Sequence, residues 1–264
     1  MASRAPESLI DSHCHLDFDE FAPDRDELVQ RAFVQGVKGW VIPGVTLQQS
    51  KALLALTVPV GDVFFALGLH PYFLAQHQDS DLQLLEQLIE MNHARIVAVG
   101  ECGLDSSVGD IDRQTRLFEG QIHIANHHKL PLIVHHRQSH HLIARSFKNI
   151  KPKQGGIIHA FSGSLQQAHY YRDLGFKLGI GGTITYERAQ KTKNVVAELP
   201  LDAFVLETDG PSMPLNGYQG KRNEPEQLVQ VFESFCLLRM EPKVDIAAAL
   251  ARNTYDVLGV EISS

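Results

Sequence analysis

Leu9-Ile10-Asp11-Ser12-His13-Cys14-His15 places two apolar residues just ahead of an Asp-Ser step and an H-x-H pair. The same arrangement recurs along the chain. Arg95-Ile-Val-Ala-Val-Gly100 runs into Glu101, Pro131-Leu-Ile-Val134 into His135, Gly156-Ile-Ile158 into His159, and Phe204-Val-Leu206 into Glu207-Thr208-Asp209. Each run is short, apolar and rich in β-branched residues, the pattern of a buried strand. Ending a buried strand on imidazole or carboxylate costs free energy unless the polar group finds a partner. Five strands that all do so at the same end imply one shared site, with His13, His15, Glu101, His135, His159 and Asp209 as its donors.

Working outward from these runs, candidate strands fall at 9–13, 37–44, 62–69, 95–101, 130–135, 156–160, 176–181 and 203–208. Helical spacing occupies 26–35, 47–57, 81–93, 112–128, 138–148, 165–174 and 187–198, then 224–239 and 243–257. Over 26–35, Leu28, Ala32 and Phe33 line one face. Ser164 precedes Leu165-Gln166-Gln167 as an N-cap. Eight strands alternating with helices imply parallel pairing through right-handed crossovers. With no change of composition along the chain, an α/β fold closed as a TIM-like (β/α)8 barrel, with additional C-terminal helices, is favoured over an open sheet. A barrel also explains the donors, because the C-terminal ends of all its strands surround one mouth. At 264 residues the chain fits one such domain over 1–264, with residues 1–8 expected to be a disordered leader. The Gly- and Pro-rich stretch 210–223 follows the last strand and is expected on the rim.

Composition narrows the function. With 44% hydrophobic and 21% charged residues the chain can build a large core. A formal charge of −7 argues against wrapping duplex nucleic acid, which depends on Lys and Arg neutralising phosphates. It permits an enzyme that takes a strand end or a small phosphate ester into a locally positive pocket. Cys14, Cys102 and Cys236 are odd in number and lack C-x-x-C pairing, which suggests a reducing compartment. The N-terminal residues lack the apolar stretch of a secretory signal, and no apolar run is long enough to span a bilayer. A cytoplasmic protein without membrane contact or an obligate protein partner is expected.

On a strand, His13 and His15 point to the same side and converge on one ion, while Cys14 points away and packs, a thiolate ligand being the alternative. Glu101, flanked by glycines, can give one oxygen to each of two metals. Asp105 reads as a loop or helix cap, with a ligand as the lesser alternative. Asp209 can ligate and accept a proton from water. Glu207, two residues before it, can support a neighbouring ligand or form a salt bridge inside the barrel. His70, in Leu67-Gly68-Leu69-His70-Pro71, should face the same mouth and touch substrate rather than metal. His77, His93, His123, His127, His128, His140, His141 and His169 lie in helices or loops and read as surface.

Six motifs in order, Asp11-Ser-His13-Cys-His15-Leu-Asp17, Gly-Leu-His70-Pro, Val-Gly-Glu101-Cys-Gly-Leu-Asp105, Pro-Leu-Ile-Val-His135, His159-Ala-Phe-Ser-Gly-Ser and Leu-Glu207-Thr-Asp209-Gly-Pro, resemble those of TatD-like metal-dependent hydrolases. Phe161-Ser-Gly-Ser-Leu-Gln-Gln-Ala168, Gly181-Gly-Thr-Ile-Thr-Tyr186 and Met213-Pro-Leu-Asn-Gly217 look most like the YjjV-type branch. The resemblance implies a TIM-like barrel with two divalent cations that hydrolyses phosphodiesters at DNA or RNA ends. His13, His15 and Glu101 would hold one ion, and Glu101, His135 and His159 the other, with Asp209 beside the first as base. Arg137 would contact phosphate, where its fork geometry suits the task. His136 replaces a usual Ser, Gly210 a usual Ala, and Ser106-Ser107 a common aromatic pair, so the rim differs while the donors remain. Zn²⁺ or Mn²⁺ suits the histidine-rich set, and Mg²⁺ or Mn²⁺ the family's habit. Two rivals stand beside this reading: an amidohydrolase acting on an ester or C–N bond, whose binuclear form usually carries a modified Lys where this chain has Glu101, and a non-catalytic barrel that keeps metals structurally.

Overall fold

The computed structural model describes residues 8–260, so the leader expected over 1–8 lies outside the described residues apart from Ser8. Eight strands, β1 (Leu9–Asp11), β2 (Val37–Pro43), β3 (Asp62–Leu67), β4 (Ile96–Asp105), β5 (Leu132–Arg137), β6 (Gly156–Ile158), β7 (Phe176–Ile180) and β8 (Phe204–Leu206), form one parallel sheet in chain order. Among the described residues no regular ladder joins β8 to β1. Instead the Ser12 N–H donates to the Leu206 carbonyl at 2.8 Å, and the Asp209 N–H to the His13 carbonyl at 2.9 Å. The sheet is a nearly closed TIM-like barrel in a single domain.

Helices α1 (Arg25–Val34), α2 (Leu47–Leu53), α3 (Asp81–Met91), α4 (Ile111–His128), α5 (His140–Asn149), α6 (Leu165–Asp173) and α7 (Gln190–Glu198) flank the strands. α8 (Leu228–Cys236) follows β8 as the eighth, and α9 (Lys243–Leu258) is the addition. Ser164 caps α6 as expected and forms a full capping box with Gln167. Strand alternation sorts the core. Trp40, Ile42, Phe65, Leu67, Val134 and Phe204 face the helices, while Val41, Ala66, Ala98, Ile133, Ile157 and Val205 fill the barrel interior. Leu258 joins the interior set, and Ala251 and Tyr255 pack with Ile10, so α9 caps the barrel at the end opposite the strand C-termini. Among the described residues no helix is long and apolar enough to cross a membrane.

Two boundaries bear on the site. β1, β6 and β8 are shorter than their apolar patterns suggest, so their donors stand just past the last paired residue. β4 is longer, running past Glu101 to Asp105, and its register against β5 shifts between Val99 and Cys102. Such a bulge re-aims a side chain. Just past the shift, Gly103 lets the two strands stay in close register. Its φ is +140°, and a Cβ there would sit 2.1 Å from the His135 carbonyl oxygen, a contact no other residue tolerates.

Candidate metal centre

Alternation brings three of the polar side chains into the mouth. Ile133 and His135, Ile157 and His159, and Val205 and Glu207 are each two residues apart, so each polar side chain continues an inward-facing apolar row. The β1 side is fixed by Asp11, which is fully buried. Its Oδ1 accepts from the His13 N–H at 3.2 Å and the Thr208 N–H at 2.9 Å, and its Oδ2 from the Thr208 hydroxyl at 2.6 Å. This clamp ties the end of β1 to the end of β8. Asp209 follows with φ +59°, a left-handed conformation that Asp enters more readily than most residues.

Glu101 stands at the centre. Its Oε2 lies 3.1 Å from His13 Nε2 and 3.5 Å from His15 Nε2, while its Oε1 lies 3.1 Å from His70 Nε2 and 3.2 Å from His135 Nδ1. His13 and His15 Nε2 are 3.3 Å apart, and each is 3.7 Å from Asp209 Oδ1. Two donors about 2.1 Å from one tetrahedral ion lie roughly 3.4 Å from each other. The His13, His15, Glu101 and Asp209 atoms therefore already have the spacing of a coordination shell. No lysine or arginine nitrogen lies within 4.0 Å of the Glu101, Glu207 or Asp209 carboxylates among the described residues. Buried carboxylates without a permanent cation call for one, and the donor set fits divalent metal.

His159 occupies a different place from its expected grouping with Glu101 and His135. Its ring stacks on His13 at 3.6 Å, its Nε2 is 3.7 Å from Asp209 Oδ1, and its centroid is 6.5 Å from that of His135. Its Nδ1 lies 3.0 Å from Glu207 Oε1, which also accepts from the Ala160 N–H at 2.6 Å, so Glu207 orients this imidazole. His70 fills the position beside Glu101 and His135. Its Nδ1 accepts from the Tyr72 N–H at 3.0 Å, so the neutral ring carries its proton on Nε2 and donates to Glu101. Burial pulls the His70 pKa down to about 4, which keeps it in that neutral form at pH 7.

The electrostatics are those of a site balanced between acids and imidazoles. Burial holds His13 well below its ordinary value, with His159 adding to the effect. Burial pushes Asp209 up to about 6 and Asp11 up to about 7. Burial opposes charge on His159, yet Glu207, Asp209 and Glu101 together raise it to about 10. Glu101, although buried, is held well below the carboxylate range by His70, His13 and His159.

Several supporting residues escape the sequence pattern. Asp105 caps its loop through Ser107, as read, but its Oδ2 also lies 3.3 Å from His135 Nε2. Both His135 nitrogens thus face carboxylates. His77, expected at the surface, is buried with Nε2 2.9 Å from the His70 carbonyl oxygen, where it backs the turn carrying His70. His140, also expected at the surface, is half-buried with Nδ1 2.8 Å from the Tyr171 hydroxyl and its ring 4.2 Å from His136. His136 alternates away from the donors and packs against His140 and Phe161.

The centre floors a cleft of about 720 Å³ whose wall includes Phe18, Tyr72, Phe73, Arg137 and Met213. Arg137 is exposed and makes no side-chain ion pair among the described residues. Across Ser162, Thr183 and Met213 the cleft continues into a trough of about 590 Å³ lined by Tyr186, Arg188 and Lys191. Arg188 lies over the Tyr186 ring at 4.9 Å.

A nearly closed α/β barrel with imidazoles and carboxylates converging at the strand C-termini defines the metal-dependent hydrolase class of TIM-like folds. Residues 10–259 match the TatD related DNase family, and the chain belongs to it. It is 45% identical over 254 residues to the uncharacterized metal-dependent hydrolase YjjV of Escherichia coli (strain K12), covering 96% of this chain and 98% of that one. The crystal structure of YjjV, a TatD homolog from Escherichia coli K12, superposes with a TM-score of 0.89 at 44% identity, over 96% of this chain and 98% of that one. The chain is also 30% identical over 263 residues to the 3'-5' ssDNA/RNA exonuclease TatD of Salmonella typhimurium (strain LT2), covering 95% of this chain and 100% of that one.

Proposed function

We propose that this metal-dependent hydrolase is a two-metal phosphodiesterase acting on DNA or RNA ends. The observation that carries the reading is the division of Glu101, with one oxygen against His13 and His15 and the other against His135. A carboxylate so divided suits a bridge between two ions. His13, His15, Glu101 and Asp209 would hold the first ion and Glu101 and His135 the second, with His159, beside His13 and Asp209, as a further donor. Bound divalent cations supply Lewis-acid polarisation of the phosphoryl oxygens and a more acidic water. The chain's own residues do the rest. Asp209, with a pKa raised to about 6 by burial, accepts a proton from the attacking water at its carboxylate. The Arg137 guanidinium donates to non-bridging phosphate oxygens, while the His70 ring, whose Nε2–H is taken by Glu101, borders the same cleft. Asp105 and Glu207 fix the His135 and His159 rings.

The Tyr186, Arg188 and Lys191 trough supports an extended substrate, because a π-face beside cations suits a second nucleotide. Three buried, unpaired cysteines support a reducing, cytoplasmic setting. The test incubates Mn²⁺- or Zn²⁺-loaded protein with a 3'-tailed oligonucleotide, bis-p-nitrophenyl phosphate and an ester panel, alongside Asp209→Asn. Asn keeps the left-handed backbone and the N–H bond to His13 but takes up no proton. Phosphodiester turnover is expected to fall roughly 10²–10⁴-fold. Turnover within a fewfold of the parent removes Asp209 as base, and cleavage of esters alone removes the phosphodiesterase reading.

A further inference from the structure

His127 and His128 end α4, the helix that feeds the start of β5, and so lie at the end of the barrel away from the cleft. Glu86, on α3, reaches both. Its Oε1 is 2.9 Å from His127 Nδ1 and 3.6 Å from His128 Nε2. These spacings bracket the roughly 3.4 Å separation of two ligands on one tetrahedral ion. One donor atom from each of the three residues lies within 4.8 Å of the others. His128 supplies the second observation. Its side chain is only 10% exposed, yet Nε2 is buried without a hydrogen-bond partner while lying in reach of Glu86. An orphaned imidazole nitrogen at that depth needs a reason.

The seam is built for close approach. At Gly120 the two helices lie close, a Cβ there meeting the Leu82 side chain at 2.6 Å. Glu86, His123 and His127 then line a hollow of about 470 Å³ open to water. His127 is 74% exposed, which leaves the outer coordination positions to solvent. The last turn of a helix also favours a cation, since its free carbonyls carry partial negative charge.

We propose that this α3–α4 seam is a metal site separate from the cleft, held by Glu86, His127 and His128. Two imidazoles and one carboxylate select a borderline divalent ion such as Zn²⁺ over Mg²⁺ or Ca²⁺, which prefer all-oxygen shells. Binding requires each ligating nitrogen to give up its proton, so the ion replaces the proton shared between His127 and Glu86. Its effect is to tie the end of α4 to α3, a cross-link between helices rather than a catalytic centre.

The test dialyses the full chain against Zn²⁺ and counts bound ions by elemental analysis in the parent, His127→Ala/His128→Ala, Glu86→Gln and His15→Ala. The parent is expected to hold one Zn²⁺ more than the double variant or Glu86→Gln. His15→Ala should lose ions from the cleft and keep the seam ion. With Zn²⁺ at about a hundredfold excess over the dissociation constant of the seam, the parent should gain about 5–10 °C more in Tm than the double variant. An anomalous-scattering peak between Glu86 and His128 would locate the ion. Equal Zn²⁺ counts in parent and double variant, both with native circular dichroism, overturn the proposal. A cleft that binds no ion while the seam difference persists refutes the two-metal reading and leaves this one standing.

Discussion

Asp11 is the residue on which the geometry of the centre depends, and replacing it with Ala sets two terms against each other. The His13 and Thr208 N–H groups and the Thr208 hydroxyl lose their acceptor, while the Thr208 Oγ1 keeps accepting from the Gly210 N–H at 3.1 Å. Each buried donor left unpaired costs about 1–3 kcal/mol. Against that stands relief of a fully buried carboxylate, whose pKa burial raises from 3.8 to about 7. A native pKa above the unfolded one means that the folded state holds a proton the unfolded chain releases. This contribution is fully present below about pH 4 and is lost as pH rises through about 7, by up to about 4 kcal/mol. The Ala variant should therefore lag the parent most near pH 5, and the gap should close by a few kcal/mol at pH 8. Asn keeps an oxygen for both N–H groups and an amide donor for Thr208 without the charge. It should match the parent near pH 5 and exceed it at pH 8. Urea unfolding of the three proteins in chelator between pH 5 and 8 measures this. A parent-to-Ala gap that stays constant or widens with pH would refute the reading of Asp11 as a clamp protonated by burial.

The rim offers further tests. Arg137→Ala should raise KM for phosphodiesters about 10–100-fold, the worth of a charge-assisted hydrogen bond, with Tm unchanged because no ion pair is lost. A lower Tm with the parent's KM would place Arg137 in a structural role instead. His136→Ala should keep the parent's metal content, since its ring packs on His140 and Phe161, and loss of bound ions would put that ring in the centre. Arg188→Ala should lower the preference for an oligonucleotide over bis-p-nitrophenyl phosphate about 5–10-fold and weaken the salt dependence of oligonucleotide binding. An equal loss on both substrates would remove the trough from the substrate path.

Among the described residues the eight strands and nine α-helices were legible because burial writes itself into the chain at short range, through the two-residue period of β strands and the turn period of helices. The six candidate donors stood out for the same reason. Ile133 before His135 and Ile157 before His159 show within three residues that an inward-facing row has turned polar. What needed the structure is whatever depends on a partner from another element. His77 follows a short helical turn and His140 opens α5, and only their contacts with the His70 carbonyl and the Tyr171 hydroxyl show that the one is buried and the other half-buried. His128 is seen as a buried, unpaired nitrogen only once α3 is packed beside α4, and nothing near residue 128 in the sequence points to Glu86.

Asp105 shows where the boundary falls. Reading it as a cap was correct for Oδ1, which accepts from the Ser107 N–H at 2.8 Å and the Ser107 hydroxyl at 2.6 Å, both two residues away. The same carboxylate turns Oδ2 toward His135, thirty residues on, at 3.3 Å. Had β4 ended at Glu101, as its apolar run suggests, Asp105 would have been carried off with the loop. The strand continues because Gly103 lets it press against the His135 carbonyl, and that contact sets Asp105 beside the ring. A local cap thereby became a ring-orienting partner, through a glycine whose purpose appears only when the neighbouring strand is present.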